Sequence, residues 1–381
     1  MTPLVEGVLQ LIKSALTGEG GCIPNGFSVA DALRLGKKHG IEVLLYHGGI
    51  RCGLTKADDG MQALYQSCLQ KMLISERQRQ LLEKILQLFA EKNIRILPLK
   101  GMILREMYPL PEMRWMGDAD ILIDAAQYPA IKDLLQVQGF TQAGRTDHEI
   151  AWHHSCLRLE LHTLLVPERN RILFDYYGDG WQRAHQVKDN VYAMSPEDAL
   201  IFLVAHAAKH YAAGGIGIRQ FVDFWIYNQT YAQLDQGYIL QELAKVQLDK
   251  FYTCMLNMLQ AWFGDGHWDE NVREMTGYIF ASGSYGTHLN HVLAQGAKQQ
   301  SRVRRFWNAV FPGYGEMKLR YPVLGRWPVL LPFTWLVRGM SLILFHRNRI
   351  HRKSQDLQLA ADSRTKELQK HFDMLGLRSN L

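Results

Sequence analysis

The chain has 381 residues, which is long enough for two or three domains with a sizeable hydrophobic core. Hydrophobic residues make up 47% of it and charged residues 21%, as in an ordinary globular protein, and its five scattered cysteines include no CxxC pair. The cysteine pattern excludes a disulfide framework and a zinc site built on paired cysteines, and it favours a reducing cytosol. The net charge of +6 is unevenly placed: residues 301–353 hold eleven Lys or Arg against one acid, Glu316, so the remainder carries a net charge of −4.

Residues 1–92 are predicted to be helical and to pack against the rest of the protein. The first stretch has apolar residues at helical spacing and no basic segment before them, so we expect an amphipathic helix rather than a signal peptide. After a Gly-rich break at 18–26, Ser28 is predicted to cap a helix that ends at Gly40. Residues 60–92 predict one long amphipathic helix or a pair of helices. Its apolar face consists of Leu81, Leu82, Ile85, Leu86 and Phe89.

Residues 94–124 are predicted to form a strand, a turn, a short helix and a second strand. The run from Ile94 to Leu99 is short, apolar and rich in β-branched residues, and the Lys100-Gly101 turn follows it. Met102 to Tyr108 has helix formers and an apolar face, and the two prolines that come next forbid its continuation. Asp120 to Asp124 then returns to the character of a strand.

Two carboxylates open the second of these strands. Residues i and i+2 of a strand point to the same face, so Asp118 and Asp120 are predicted to lie side by side. Two like charges this close repel each other unless a cation lies between them. Mg²⁺ is typically bound by one or two carboxylates together with the phosphates of a substrate. The pattern therefore predicts a site for Mg²⁺ (or Mn²⁺) and a nucleotide.

The order of Lys-Gly turn, short helix, Arg and Asp-x-Asp resembles the uncharacterised branch of the nucleotidyltransferase superfamily, relatives of the minimal nucleotidyltransferases with a polymerase-β-like core. The segment LPLKGMILREMYPLPEMRWMGDADILI, residues 97–123, carries the resemblance most specifically, and weaker similarity runs on to about residue 230. Two features depart from the superfamily pattern. The turn is Lys100-Gly101 rather than Gly-Gly or Gly-Ser, and the gap to Asp118 is longer than in most members.

The resemblance implies an α+β fold in which a small mixed-sheet nucleotidyltransferase core is flanked by helical regions. On this basis the chain divides into an N-terminal helical region at 1–92, the core at 93–190, a helical domain beside the cleft at 191–300, and a basic, aromatic segment and tail at 301–381.

The resemblance also calls for a third acid on a later strand. In the segment 151–166, Leu157, Leu159 and Leu161 alternate with polar residues, which predicts a half-buried strand. Glu160 is the natural candidate for the third acid, and His162 lies two residues further on and faces the same way. The alternative is a surface strand whose polar residues face water.

Residues 191–300 are predicted to return to helix. Ser195 is followed by Pro and two acids, a strong start signal for a helix that carries His206 and His210 at i and i+4. Such a pair either binds a metal or, more in keeping with its surroundings, bonds to neighbouring groups or touches the nucleotide. On the next helix, Arg219 and Asp223 are expected to pair across one turn. The resemblance places this region beside the cleft, where Lys209 or Arg219 would reach phosphate, whereas Arg219 could equally join two helices.

Residues 301–381 contain the basic segment. The apolar stretch from Trp327 to Phe345 approaches one membrane thickness, yet it holds Arg338 and two prolines. Three interpretations remain open: a spanning helix, an amphipathic segment lying on an anionic membrane, or a segment docked on the protein's own body or on a partner.

The turn and the loop after it supply further candidates for binding phosphate. Gly101 would let the backbone approach the triphosphate at a helix N-terminus, where free N–H groups favour anions. Lys100 would add a point charge there, or it is simply a surface lysine before a turn. Arg114 would contact phosphate or pair with Asp118. The nucleotide-binding candidates are therefore Lys100, Gly101, Arg114, His162 and Lys209.

These residues predict transfer of a nucleoside monophosphate from a nucleoside triphosphate (NTP) to a hydroxyl acceptor, with release of pyrophosphate. Asp118, Asp120 and Glu160 would hold one or two Mg²⁺ ions and carry the chemistry. The alternative is a catalytically weak nucleotide-binding scaffold of a biosynthetic complex. Nucleic acid is not expected as a partner, since no recognisable RNA-binding motif is present. The expected location is the cytoplasm, with possible peripheral contact at the inner membrane surface through residues 301–353.

Overall fold

The structure is a computed structural model that describes residues 1–283, 311, 313–314, 317–318, 321–345 and 363–377. The chain divides into two compact units. The first comprises residues 1–211, 215–286 and 380–381, and the second comprises 212–214 and 287–379.

The first unit combines twelve helices and seven strands among its described residues. The helices are α1 (Pro3–Thr17), α2 (Val29–His39), α3 (Glu42–Arg51), α4 (Met61–Glu91), α5 (Gly101–Leu104), α6 (Tyr128–Val137), α7 (Arg171–Tyr177), α8 (Pro196–Ala212), α9 (Ile218–Thr230), α10 (Gln236–Lys245), α11 (Asp249–Phe263) and α12 (Glu270–Ser282). The strands are β1 (Ile96–Pro98), β2 (Ala119–Ile123), β3 (Thr141–Arg145), β4 (Glu149–His154), β5 (Leu157–His162), β6 (Ala184–Lys188) and β7 (Val191–Met194). This is the predicted α+β class.

The N-terminal helices begin and end where the sequence predicts. The Ser28 hydroxyl accepts a hydrogen bond from the Asp31 N–H at 3.2 Å, and α2 ends at Gly40, whose φ of +67° is in the left-handed region. The predicted helix or pair at 60–92 is one helix, α4, of 31 residues. Between Gly40 and residue 60 the sequence predicted helix in general but delimited no single element. The structure has α3 there, a helix without a side-chain cap to mark its start.

The strands form one mixed sheet in the order β3-β4-β5-β2-β1-β7-β6. Strand β2 lies antiparallel to β1 and parallel to β5, and in the second pairing Asp120 is opposite Glu160 and Leu122 opposite His162. The sheet reaches beyond the predicted core boundary at residue 190, since Ile96 of β1 pairs with Val191 of β7. Residues 191–194, which the sequence assigned to the helical domain, are thus a strand. Helix α8 begins only after Ser195, as its start signal predicts.

One face of this sheet is covered by α4 and α6 and forms a hydrophobic core. Leu82, Ile85 and Phe89 of α4 pack there with Ile131 and Leu135 of α6. The alternate residues of the central strands point into the same core; these are Ala119, Ile121, Ile123, Leu157, Leu159 and Leu161. Because strand side chains alternate, Asp120, Glu160 and His162 all point to the opposite face.

The segment 151–166 forms two strands rather than one. Strands β4 and β5 pair antiparallel around a tight turn in which Ser155 has a φ of +47°. The alternation of leucines correctly located β5. Of its polar residues, Arg158 is exposed, but the other two do not face water. Glu160 and His162 are 9% and 4% exposed, so the alternative of a surface strand is wrong for these two residues. Their burial leaves a chemical role as the better explanation.

In the second unit, the described helices are α13 (Leu331–Phe345) and α14 (Ser363–Met374), and short 3₁₀ turns cover 322–325 and 328–330. The predicted apolar stretch 327–345 therefore enters its helix at Leu331. Within the described part of the chain, no helix has both the length and the hydropathy needed to cross a bilayer.

A buried histidine ties three helices of the first unit together. His39, at the end of α2, is fully buried; its Nδ1 accepts a hydrogen bond from the Ile218 N–H at 3.2 Å, so Nε2 donates to the Phe280 carbonyl at 3.3 Å. The bond at Nδ1 requires the neutral ring, because a protonated imidazole has no acceptor nitrogen. Burial lowers the pKa of His39 to about 4, despite the bond to Phe280, and the nearby Lys38 charge adds to the lowering.

We therefore expect acid to destabilise the protein through His39. The unfolded chain takes up this proton near pH 6.5 and the folded chain only near pH 4, so the contribution is complete above pH 6.5 and is lost as pH falls towards 4. Urea unfolding of wild type and His39→Gln at pH 7.5 and pH 4.5 should differ in pH dependence by about 2–3 kcal/mol. The exposed His267→Gln is the control and should behave like wild type; an identical pH dependence in His39→Gln would contradict the expectation.

Candidate functional site

The site lies on the open face of the central strands, where β2 and β5 run parallel. The register places Asp120 directly opposite Glu160, and His162 lies two residues further along β5 on the same face. One ligand atom from each of these three side chains lies within 4.8 Å of the other two. Among the described residues, these three side chains form a cluster that could bind one metal ion.

Asp120 is the centre of this group. One of its oxygens, Oδ1, accepts from Lys100 Nζ at 2.9 Å and from His162 Nε2 at 2.8 Å. Burial alone would raise the pKa of Asp120, but the Lys100 charge and the bond from His162 hold the pKa well below its usual range. Asp120 is therefore a carboxylate at any physiological pH. In return, the charge of Asp120 raises the pKa of Lys100 in spite of the burial that opposes it.

Lys100 adopts a backbone conformation that ordinarily belongs to glycine. Its φ is +45° and its ψ −113°, a combination that costs a residue with a side chain on the order of 1–3 kcal/mol. From this position the Lys100 ammonium group donates to Asp120.

The three donors fit a divalent cation. The two carboxylates offer the oxygen ligands that Mg²⁺ and Mn²⁺ take, the imidazole adds a nitrogen ligand more typical of a transition metal, and the spacing suits ligands that share one ion. His162 Nδ1 is buried and has no hydrogen-bond partner among the described residues. The expected set was Asp118, Asp120 and Glu160, whereas the converging set contains His162 in place of Asp118.

Asp118 lies just before β2, close enough to Glu160 for its charge to raise the pKa of that side chain. Burial and the charge of Asp120 raise the pKa of Asp118, although Lys100 and two arginines oppose this. Burial and the charges of both aspartates likewise raise the pKa of Glu160, against a 2.7 Å hydrogen bond from Arg158. This mutual repulsion among three acids is what a bound cation would relieve.

Arg114 is occupied by a different acid from the one expected. It forms a buried two-bond ion pair with Asp223 of α9, with Nε–Oδ1 and Nη2–Oδ2 distances of 3.0 and 2.9 Å. Tyr108 Oη adds a third bond to the same carboxylate at 2.8 Å. The predicted pair of Arg219 with Asp223 and the alternative pair of Arg114 with Asp118 are both wrong, because the loop before β2 brings Arg114 across to α9.

Gly101 is required by Arg114 and not by an open approach to phosphate. A Cβ on Gly101 would lie 2.6 Å from Arg114 Nη1. The helix that begins at Gly101 is a single turn of four residues, too short for a substantial dipole at its N-terminus. The expectation of a triphosphate held there therefore loses its main support.

Two further contacts fix the loop that carries Asp118. Arg219 Nη1 donates to the Trp115 carbonyl at 2.6 Å, so Arg219 joins α9 to this loop. Gln78, buried on α4, donates to the carbonyls of Met116 and Cys156 at 3.2 and 2.9 Å. Sequence reasoning missed Gln78 and Tyr108; a glutamine within the apolar stripe of α4 was the available signal.

Helix α8 contributes a group of cationic and imidazole side chains near the acids. The rings of His206 and His210 lie 4.4 Å apart, and Lys209 lies between them in sequence. Burial, Lys209 and Lys100 lower the pKa of His210 to about 4, and burial and Lys100 lower the pKa of Lys209. Both imidazoles are held neutral, so the positive charge here is that of Lys209 and Lys100, and two buried cations favour an anionic ligand beside them.

Comparisons with known proteins give one match. The model of a family described as "Uncharacterised nucleotidyltransferase" matches residues 25–264, a range that contains the whole sheet and α8. No curated protein and no solved structure matches the chain.

Proposed function

The chain belongs to the uncharacterised nucleotidyltransferase family, whose members are transferases of phosphorus-containing groups, and we propose that it transfers a nucleoside monophosphate from an NTP to a hydroxyl acceptor with release of pyrophosphate. The observation that carries the proposal is the convergence of Asp120, Glu160 and His162 on one face of two parallel strands. Buried acids are costly unless a cation or a hydrogen bond compensates them, so this arrangement supports a metal-dependent reaction.

A divalent cation held by Asp120 and Glu160, with Asp118 and His162 beside it, would supply the positive charge that polarises the α-phosphorus and offsets charge on pyrophosphate. Lys209 of α8 is the cation that would bind phosphate, since burial and the charge of Lys100 lower its pKa and an anion would offset both effects. His210, whose pKa burial and the charges of Lys209 and Lys100 lower to about 4, would offer a hydrogen bond and not a charge. Glu160 has a raised pKa and is suited to take the proton of the acceptor hydroxyl.

The buried ion pair of Arg114 with Asp223 has a positioning role in this proposal. Arg114 lies four residues before Asp118, so the ion pair joins the loop that carries Asp118 to α9. Because both partners are buried, the pair resists the rearrangement that exposed charges permit, and it keeps the loop in one conformation. Arg114 thus acts on the site through the backbone and not by contact with phosphate.

The test is calorimetric titration of the four NTPs into the protein in Mg²⁺, in Mn²⁺ and in EDTA, followed by incubation with α-labelled NTP and detection of pyrophosphate. We expect metal-dependent binding of at least one NTP, and pyrophosphate release that Glu160→Gln lowers by about a hundredfold or more. The exposed Glu168→Gln is the matched control and should retain wild-type values.

Two results would redirect the proposal. Metal-dependent binding without release of pyrophosphate under any acceptor would favour the alternative of a catalytically weak nucleotide-binding scaffold. No binding of any NTP to the folded protein would overturn both, since each requires the acids to hold a metal and nucleotide.

A further inference from the structure

The second unit exposes large apolar side chains over a short stretch of chain. Trp327 is 61% exposed, Val329 79%, Phe333 63% and Leu336 67%. Val323, Leu330 and Val337 are exposed to a lesser degree within the same fifteen residues. We call this set, from Val323 to Val337, the apolar surface. Contiguous exposure of this kind marks an interaction site more often than a chance feature of a globular protein.

At the start of α13 the apolar residues face outwards and the polar residues face inwards, the reverse of a helix on the surface of a protein in water. Phe333, Leu336 and Val337 share one face by their i, i+3, i+4 spacing, and that face is outside. Thr334 and Arg338 share the opposite face and are only 4% and 8% exposed. The Thr334 hydroxyl is satisfied by the Leu331 carbonyl at 2.8 Å. A helix with its polar residues inside and its apolar residues outside is suited to an apolar environment.

The sequence around the apolar surface is strongly basic. Residues 301–353 carry ten more positive than negative charges, and the run His346-Arg-Asn-Arg-Ile-His-Arg-Lys353 directly follows α13. Aromatic and aliphatic side chains flanked by Lys and Arg are the composition of segments that lie at the surface of an anionic bilayer. The aromatic side chain of Trp327 is of the type enriched at the boundary between lipid and water.

We propose that the apolar surface docks on an anionic phospholipid bilayer and holds the transferase at the membrane, with Phe333 and Leu336 inserted. The net charge of +10 in the sequence 301–353 favours an anionic bilayer over a neutral one. The charge distribution argues against the two other occupants. A second copy would bring two strongly positive segments together, and a nucleic acid would satisfy the charge but would leave Val329 and Leu336 in water.

The experiment is co-sedimentation of the full chain with vesicles of phosphatidylcholine alone and of phosphatidylcholine mixed with phosphatidylglycerol, at low and high salt. We expect binding to the anionic vesicles, weaker binding at high salt, and little binding to the neutral ones. The variant Phe333→Ser/Leu336→Ser should lower the partition onto anionic vesicles by roughly tenfold or more, because two large apolar side chains no longer insert.

The control is Leu73→Ser/Val137→Ser, which removes two apolar side chains that are 64% and 82% exposed on α4 and α6 of the first unit. It should bind the vesicles as wild type does. Both variants replace exposed residues, so circular dichroism and melting temperature should match wild type. Equal vesicle binding by the two variants, or no sedimentation of wild type with anionic vesicles, would overturn the proposal. Self-association of wild type that Phe333→Ser/Leu336→Ser abolishes, without vesicle binding, would assign the surface to a second copy.

Discussion

Replacement of Asp120 by Asn is expected to lower metal-dependent transfer by about a thousandfold or more. The variant keeps an oxygen that can accept from Lys100 or His162, and it keeps the volume of the side chain. What it loses is the negative charge, and with it the carboxylate that opposes Lys100 and would hold the cation. The measurement is pyrophosphate release under saturating NTP, together with calorimetry of Mg²⁺ or Mn²⁺ alone.

The matched control lies at the end of the same strand. Asp124 is partly exposed, caps the turn that follows by accepting from the Ala126 N–H at 2.9 Å, and lies 3.9 Å from Arg95. Asp124→Asn makes the same chemical change, and asparagine caps as well as aspartate does, so activity and stability should stay within twofold of wild type. Normal transfer by Asp120→Asn would mean that the converging acids do not hold the metal, and a melted Asp120→Asn would show that the residue is needed for the fold.

Asp120 and its neighbours show how much of the site could be predicted from the sequence. The two carboxylates and the alternating strand with Glu160 and His162 were predicted from local features, whereas the role of Glu160 as a third acid was predicted from the resemblance to the nucleotidyltransferase superfamily. The parallel pairing of β2 with β5, which sets Glu160 opposite Asp120, is not local. It follows from the packing of both strands on α4 and α6, and no spacing in the sequence encodes it.

Two of the errors concern arginines. Arg219 and Asp223 have the spacing of a helical ion pair, and the sequence favours it. A long side chain, however, pairs with whichever acid the tertiary structure presents, and here the loop before β2 presents Arg114. The Arg219 guanidinium then reaches the Trp115 carbonyl at 2.6 Å. Local spacing predicts weak exposed pairs well, whereas buried pairs depend on how elements meet.

Lys100 gives the second large expected effect, because its ammonium group already neutralises the carboxylate that would hold the cation. Its Nζ lies 2.9 Å from Asp120 Oδ1 and is largely buried. A divalent ion and an ammonium group at one oxygen repel each other strongly at this distance, even at the screening typical of proteins. Metal binding therefore has to move Lys100 away from Asp120, and the released charge becomes available for the phosphates of the nucleotide.

This competition predicts opposite changes in two affinities. Lys100→Met should bind Mn²⁺ alone roughly tenfold or more tightly than wild type, because no ammonium group has to be displaced. The same variant should bind the metal–NTP complex roughly tenfold or more weakly, because the charge released onto phosphate is lost. Both affinities are measured by calorimetry, with Mn²⁺ followed in parallel by electron paramagnetic resonance.

Two further variants make the outcome decisive. Lys100→Gly removes the ammonium group and also relieves the backbone strain at φ +45°, which offsets part of the cost of leaving Asp120 without its partner, so it should melt no lower than Lys100→Met and repeat the result. Lys209→Met removes a cation that is not among the described hydrogen-bond partners of Asp120. This variant should weaken NTP binding and leave the affinity for Mn²⁺ alone nearly unchanged. If Lys100→Met and Lys100→Gly instead bound Mn²⁺ more weakly than wild type, the competition between Lys100 and the metal ion would be refuted. Lys100 would then orient Asp120 towards the ion.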